Sequence, residues 1–184
     1  MFVLSFQGNL WGGRGMLILA LDLSLNCSGY AVLHYEEEVI QVVEKGIISN
    51  KHIPSALVGK KLVNIESKLI ELFDKYQFQM IVKEASFCTN KIQSTQKTFM
   101  VLGVVIETCF KNGYSDIQEI AATTVKKLVG GNGKCSKEEV KDNLYYYVGY
   151  QSYVTEDVSD AVAVGIASIL KQKLPVRIKE VTAI

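Results

Sequence analysis

The first third of the chain alternates between short apolar runs and polar turns. The run LILALDL covers Leu17 to Leu23 and holds a single acid, and a second apolar run, YAVLHY, begins at Tyr30. Val39 to Ile48 offers a third segment of the same kind. Runs of this length and composition are typical of strands. Because the connections between them are short, we expect an antiparallel meander.

The rest of the chain predicts helices mixed with short strands. Apolar residues recur at three- and four-residue spacing from Val58 to Tyr76, which is typical of an amphipathic helix. A strand from Met80 to Glu84 comes next, followed by a polar stretch from Thr89 to Gln96 and a helix from Thr98 to Lys111. We then expect a strand from Ile117 to Ile120 and a short helix from Thr123 to Val129. A charged loop from Lys134 to Asp142 leads into the segment from Tyr145 to Tyr147, and a last helix begins at Glu156. This order indicates a mixed α/β fold, with helices on both faces of a central five-stranded sheet.

Length and composition indicate one compact domain. A chain of 184 residues with 48% hydrophobic content can bury one substantial core, and it is too short for two ordinary domains. We expect the domain to cover residues 16–175, with an unstructured upstream extension at 1–15 and a tail at 176–184. Met16 opens the first strand pattern, so we expect translation to start there. The preceding residues lack the basic start and continuous apolar core of a signal peptide.

Net charge does not decide whether the protein binds nucleic acid, but the spacing of the cysteines indicates their chemical state. The 20 Lys and Arg residues nearly balance the 19 Asp and Glu residues, so net charge neither supports nor excludes nucleic-acid binding. Cys27, Cys88, Cys109 and Cys135 are widely spaced, which favours buried thiols in a reducing cytoplasm over a zinc site or a disulfide framework. No apolar run has the length of a membrane span, so we expect a cytoplasmic protein without a membrane partner.

Four acids form the candidate chemistry. Asp22 lies inside an apolar strand, Glu84 ends the fourth strand, and Asp157 and Asp160 lie three residues apart at the start of the last helix. A carboxylate in apolar surroundings costs several kcal/mol unless it is paired or bound to metal. Each acid has an ordinary alternative, as a strand end, a helix cap or a first-turn acid. Their joint placement at these ends favours a common site.

Acids gathered at one place repel one another, and a divalent cation removes that conflict. Mg²⁺ prefers oxygen ligands, and two such ions support in-line displacement at a phosphodiester. The pattern therefore predicts a nuclease with two Mg²⁺ ions per active site, for which Mn²⁺ can substitute. We expect no nucleotide cofactor.

These motifs resemble the RuvC-like Holliday junction resolvases of the RNase H-like superfamily, particularly the small versions encoded by bacteriophages. The similarity runs from about Met16 to about Lys173. The motifs are LALDLS around Asp22 with SGY beyond it, IVKEASF around Glu84, and DVSDAVAV from Asp157. The resemblance implies that Asp22, Glu84, Asp157 and Asp160 bind the catalytic metals. It also implies cleavage to 5′-phosphate and 3′-hydroxyl ends.

The resemblance assigns two further residues. Phe87 matches an aromatic that the family places near the junction centre, with core packing as the alternative. Lys137 matches a lysine that approaches the scissile phosphate, with an exposed lysine at a helix start as the alternative. Candidate contacts to the DNA backbone are Lys83, Lys91, Lys97, Lys126, Lys127, Lys134 and Lys141.

The sequence also departs from the family pattern. Ser24 stands where bacterial members usually carry Pro-Gly, and the loop from Gly130 to Lys137 is not a close copy, which leaves open whether Lys134 or Lys137 is the active-site lysine. Phage members tend to cleave many branched structures, and we expect the same range here. A phage-encoded protein would work in the bacterial host cytoplasm.

The resemblance implies a homodimer that nicks two opposing strands of a four-way junction. The helix from Thr98 to Phe110 is apolar nearly all round, so it either covers an interface or lies in the core.

Three other functions share features with this sequence. An actin-like or hexokinase-like ATPase shares a first strand with an Asp and a nearby Gly, but it needs about twice this length or more. A non-catalytic module that binds branched nucleic acid would not need all four acids. An RNase H-like nuclease acting on RNA–DNA hybrids or structured RNA would use the same metal chemistry in a different groove.

Overall fold

A five-stranded mixed sheet forms the centre of the computed structural model, which describes residues 15–86 and 92–179. Its strands are β1 (Met16–Asp22), β2 (Cys27–Glu36), β3 (Val39–Ser49), β4 (Met80–Glu84) and β5 (Gln118–Ile120). Their order across the sheet is β3-β2-β1-β4-β5. The first three strands pair antiparallel, whereas β1–β4 and β4–β5 pair parallel. The predicted meander and mixed sheet are confirmed.

Helices cover both faces of this sheet, as predicted. They are α1 (Val58–Lys75), α2 (Ile92–Lys111), α3 (Ala122–Val129), α4 (Lys137–Val148) and α5 (Glu156–Lys171). Alternate residues of β1 supply the two halves of the core, because successive side chains of a strand point to opposite faces. Leu19 packs in the cluster with α1 and α2, and Ala20 packs in the cluster with α3, α4 and α5.

Two predicted boundaries are wrong. Helix α2 begins at Ile92 rather than Thr98, so the second half of the predicted polar stretch is helical. Its first turns project beyond the core, with residues 92–94, 96 and 97 exposed, and therefore lack the apolar periodicity that marks a buried helix. Residues 137–142, predicted as a charged loop, belong to α4.

Local hydrogen bonding explains the start of α4. The Ser136 hydroxyl accepts a hydrogen bond from the Glu139 backbone N–H, and the Glu139 carboxylate accepts one from the Ser136 backbone N–H. This capping box satisfies two of the donors that a helix start leaves free. Val140, Leu144 and Val148 then bury one narrow stripe at four-residue spacing, and charged and tyrosine residues lie between them.

The remaining predictions about the chain concern its ends and its cysteines. Residues 1–14 of the predicted extension lie outside the described residues. Beyond α5, the Lys179 backbone N–H donates to the Tyr146 carbonyl at 2.7 Å. Cys27, Cys109 and Cys135 are buried free thiols, as predicted, and Cys88 lies outside the described residues. In the part of the chain that the structure describes, none of the helices combines the length and apolar character needed to cross a membrane.

Candidate active site

Asp22 and Glu84 are neighbours at one end of the sheet. The parallel register of β1 and β4 pairs Leu21 with Lys83 as its last partners, so the next residues along each strand are Asp22 and Glu84. Because side chains alternate along a strand, both carboxylates point to the face that α5 covers. Each is half-buried.

The first turn of α5 brings the other two acids to the same end of the sheet. Asp157 and Asp160 are half-buried there, and α5 packs on β1, β2 and β4. Two glycines allow this close approach. A Cβ on Gly29 would lie 1.9 Å from the Asp157 carbonyl oxygen, and a Cβ on Gly165 would lie 2.4 Å from the Leu33 side chain. Larger residues would push the acids away from β1.

The four acids act on one another electrostatically. Burial, followed by the charges of Asp160, Glu84 and Asp157, raises the pKa of Asp22 to about 7. Burial and the charge of Asp160 also raise the pKa of Glu84. Among these carboxylates, Asp160 exerts the largest charge effect on both neighbours. The folded chain therefore holds a concentration of negative charge that water does not fully screen.

One lysine offsets part of this charge. Lys137 begins α4, and its Nζ lies 2.5 Å from Asp160 Oδ2 in an ion pair. The hydrogen bond to Asp160 raises the pKa of Lys137, and the charges of Asp22 and Glu84 add to the effect. Lys134 is exposed in the preceding loop, where its backbone N–H donates to Asn132. The geometry thus places Lys137, rather than Lys134, at the acids.

Two interactions that support the site were not predicted from the sequence. Ser24 and Ser28 bond to each other and to the backbone of the turn after Asp22, which fixes the exit of β1. Burial raises the pKa of the Cys27 thiol to about 11, and the Asp157 carboxylate adds to this rise. A protonated thiol can donate to the carboxylate. The short SGY motif after Asp22 was visible, but a single sequence does not show what it contacts.

The predicted DNA-contacting lysines fall into different environments. Lys83 is 1% exposed, and its Nζ forms an ion pair with Glu119 at 2.7 Å, across the β4–β5 register. It is not available for a phosphate contact, and this prediction is wrong. Burial raises the pKa of Glu84, and the positive charge of Lys126, on α3, partly opposes this rise, so this half-buried side chain lies near the acids. Lys97, Lys127 and Lys141 are exposed on helices. Phe87 and Lys91 lie outside the described residues.

The donor chemistry of the site fits a hard divalent cation. Four carboxylates supply oxygen ligands, and their mutual repulsion is relieved by a cation. Within residues 15–86 and 92–179, no three Asp, Glu, His or Cys side chains converge on one point tightly enough to form a ready-made metal site. The carboxylates of Asp22, Glu84, Asp157 and Asp160 would have to turn inward to hold an ion together.

Comparison with known proteins gives a consistent family. The family model described as crossover junction endodeoxyribonuclease RuvC matches residues 18–168. A RuvC crossover junction endodeoxyribonuclease of Ehrlichia ruminantium is 31% identical over 165 residues, which cover 86% of this chain and 99% of the relative. The corresponding protein of Dichelobacter nodosus is 29% identical over 149 residues, covering 81% of this chain and 82% of that protein. These relatives are bacterial.

Solved structures show the same fold. Thermus thermophilus RuvC in complex with a Holliday junction substrate superposes with a TM-score of 0.77 at 16% identity, covering 89% of this chain and 99% of that one. The yeast mitochondrial Holliday junction resolvase gives a TM-score of 0.59 at 12% identity, covering 87% and 80%. The predicted RNase H-like architecture is confirmed.

Proposed function

Since the chain belongs to the RuvC family of crossover junction endodeoxyribonucleases, we propose that it resolves four-way DNA junctions by nicking them at the carboxylate site. The observation that carries this proposal is the meeting of Asp22, Glu84, Asp157 and Asp160 at one end of the sheet, where burial and mutual repulsion raise the pKa of Asp22 to about 7. Four partly buried carboxylates at one place destabilise the fold if nothing binds them. Such a site is suited to cations that hold a phosphodiester.

The same four acids are the proposed metal ligands. Asp22 and Glu84 approach from adjacent strands, and Asp157 and Asp160 approach from the first turn of α5. Two bound Mg²⁺ ions, or Mn²⁺ in their place, would supply activation of a water molecule and stabilisation of the leaving 3′ oxygen. Of these acids, Asp160 forms an ion pair with Lys137.

Lys137 is proposed to touch the reacting phosphate. Its side chain is 61% exposed, and its ammonium group reaches the acid cluster from the start of α4, so it can leave Asp160 and meet an incoming phosphate oxygen. A cation at this position neutralises the charge that develops during displacement. The expected products carry 5′-phosphate and 3′-hydroxyl ends.

We propose that the DNA backbone follows those predicted contact lysines that are exposed in the structure or lie near the acids. Because phosphate contacts position DNA without reading its sequence, their loss should weaken binding to every junction. The lysines retained from the sequence prediction within the described residues are Lys97, Lys126, Lys127, Lys134 and Lys141. Lys91, and Phe87 as a stacking residue at the junction centre, are retained from the resemblance alone.

A homodimer is proposed to form through the outer face of α2. This helix buries Val101, Val105, Thr108 and Cys109 against the domain, so it is not enclosed on all sides by its own core. Its opposite face exposes large apolar residues, and its first turns border a groove of about 590 Å³. The exposed residues are Ile92, Phe99, Met100, Ile106 and Phe110. A second copy related by two-fold symmetry would cover this face and present two active sites to opposing strands.

The substrate range and cellular setting are proposed from the sequence. We expect cleavage of other branched DNA besides the four-way junction, and action in the cytoplasm of a bacterium, or of a bacterial host if the chain is phage-encoded. Roles in DNA recombination and repair follow from the resolution of junctions.

A panel of labelled substrates tests the function. Wild-type protein is incubated with Mg²⁺ and with a synthetic four-way junction, a three-way branch, a linear duplex of the same sequence or an RNA–DNA hybrid. Nicking of the branched DNA over the linear duplex supports the proposal. Preference for the hybrid would favour the RNase H-type alternative, and tight junction binding without any nicking would favour a non-catalytic module.

A further inference from the structure

A second concave surface lies at the same end of the sheet as the acids. It has a volume of about 470 Å³ and forms where the turn after β1 meets the segment between β3 and α1. Asn26, Lys51, His52 and Lys61 line it together with three uncharged residues, and none of the seven lining residues is Asp or Glu. The pocket therefore presents one lysine beside another with no acid between them.

Lys61 is the unusual member of this lining. It is 5% exposed, although it carries an ammonium group. Its Nζ donates to Asn26 Oδ1 at 2.7 Å, and no carboxylate in residues 15–86 or 92–179 forms an ion pair with it. A largely buried lysine whose ammonium group has only a neutral partner is costly, because no opposite charge offsets its burial. An anion in the pocket would remove that cost.

A buried asparagine holds the walls of the pocket together. Asn50 is fully buried, and its side-chain amide donates to the carbonyls of Leu25 and Lys61 at 2.8 and 3.1 Å. Its backbone N–H donates to the Asn26 carbonyl at 2.9 Å, and its Oδ1 accepts a hydrogen bond from Asn64. The β1–β2 turn, the end of β3 and α1 are thus tied at one point. The pocket is built before any ligand arrives.

The pocket is connected to the acid cluster by a short path. Asn26 lies four residues after Asp22, and the next residue, Cys27, pairs with Ser49 at the end of β3. The charges of Asp157 and of Lys51 both act on the pKa of the Cys27 thiol. The turn after β1 therefore runs from the acids to the wall of the pocket.

We propose that the pocket formed by Asn26, Lys51, His52 and Lys61 binds one backbone phosphodiester of the DNA strand that is cut. This inference rests on the proposed function and deepens it, because none of these four residues belongs to the predicted DNA contacts. Lys61 and Asn26 form the fixed floor, and the exposed Lys51 and His52 form the rim. The pocket sets the position of the strand relative to the acids and reads no sequence.

Binding to a synthetic four-way junction in EDTA tests the proposal without cleavage. The variants are Lys51→Gln at the rim and Lys61→Met in the floor, with Lys171→Gln as the matched control. Lys171 is exposed in the last turn of α5, about 24 Å along that helix from its acidic first turn. The dissociation constant is measured across a series of salt concentrations. Far-ultraviolet circular dichroism checks the fold of each variant.

We expect both pocket variants to bind more weakly than the control, with the slope of log K against log salt reduced by about one. Junctions that carry a single methylphosphonate give a second readout. A neutral linkage at the position that weakens junction binding by the wild type should not weaken binding by Lys51→Gln any further, because both changes remove the same contact. If Lys61→Met does not fold, Lys51→Gln decides the question alone.

Two results would overturn the inference in distinguishable ways. Wild-type protein that fails to bind or cut any junction would remove the proposed function and this pocket with it. Wild-type protein that binds and cuts, while the folded pocket variants keep the salt slope of Lys171→Gln, would remove the pocket alone and leave Lys61 a structural residue.

Discussion

Gly29 on β2 faces the backbone carbonyl of Asp157 so closely that a Cβ at position 29 would lie 1.9 Å from that oxygen. The contact joins the sheet to the first turn of the helix that carries two of the four acids. A backbone atom cannot move aside as the end of a flexible side chain can. The close approach of α5 to β2 at the active site therefore depends on the absence of a side chain at position 29.

Gly29→Ala tests this relationship. We expect the added methyl group to force α5 away from β2, with destabilisation of about 1 to 3 kcal/mol, as overpacking usually costs, and a large loss of nicking activity. Gly59→Ala is the matched control, because a Cβ there meets no atom within 4 Å and Ala favours a helix. Thermal unfolding and junction nicking are measured for both. Equal stability and activity of the two variants would contradict the tight contact.

Lys137 should matter for the chemical step more than for binding. In Lys137→Met the ion pair with Asp160 is lost, and no cation remains there to meet the charge that develops on the phosphate. We expect the single-turnover rate to fall by about 100- to 1000-fold, with junction affinity changed much less. Lys134→Met is the control, since Lys134 is exposed in the preceding loop. A larger effect from Lys134→Met would assign the role to that residue.

The acid cluster predicts a pH-dependent instability of the metal-free protein. The pKa of Asp22 is about 7 in the folded chain and 3.8 in the reference state, so the folded form binds this proton more tightly. The stabilisation is complete below about pH 4, and it is lost as the pH rises through 7. At about 1.4 kcal/mol per pKa unit, a pKa that moves from 3.8 to about 7 corresponds to a loss of about 4 kcal/mol.

Asp22→Asn removes this loss because an amide carries no charge. In EDTA at pH 8, we expect the variant to unfold at a higher temperature than the wild type, and the two should converge below pH 4. Asp74→Asn, at an exposed position of α1, should follow the wild type throughout. Unfolding temperatures that differ by the same amount at every pH would contradict a buried, ionising Asp22.

The outer face of α2 predicts how the dimer can be separated. Phe110→Glu and Ile106→Glu place a charge on side chains that are 69% and 51% exposed in the single chain. If a second copy covers this face, burial of the new carboxylate should shift the protein to a monomer in sedimentation equilibrium. Val63→Glu changes a 57% exposed apolar residue of α1 and should leave the dimer intact. A wild-type monomer, or a dimer that withstands both α2 variants, would argue against this surface.

The sequence was most informative where one strand or helix carries its own signal. Asp22 stands out because its neighbours in β1 are apolar, and Glu84 stands out because it ends a short buried strand. The final helix was predicted from its periodicity, and the structure starts it at Glu156 as expected. These local patterns, taken in their order along the chain, were sufficient to predict the mixed sheet and the acids that lie at one end of it.

Contacts between distant segments could not be predicted in the same way. Lys83 was predicted to contact the DNA backbone, but the β4–β5 register pairs it with Glu119 and its side chain is buried. The spacing of Gly29 from Asp157 and the pairing of Asn26 with Lys61 also depend on tertiary structure. Helix α4 was not predicted because its segment is charged and rich in tyrosine, and only every fourth residue of it is buried.

Metal-dependent nicking of a labelled four-way junction tests the central claim most directly. Wild type, Asp22→Asn and Asp74→Asn are compared with Mg²⁺ and with EDTA, and junction binding is measured in parallel. We predict that wild type and Asp74→Asn nick the junction only with Mg²⁺, whereas Asp22→Asn binds it without nicking. Junction nicking by Asp22→Asn at the wild-type rate, or wild-type nicking that persists in EDTA, would contradict the proposed carboxylate site.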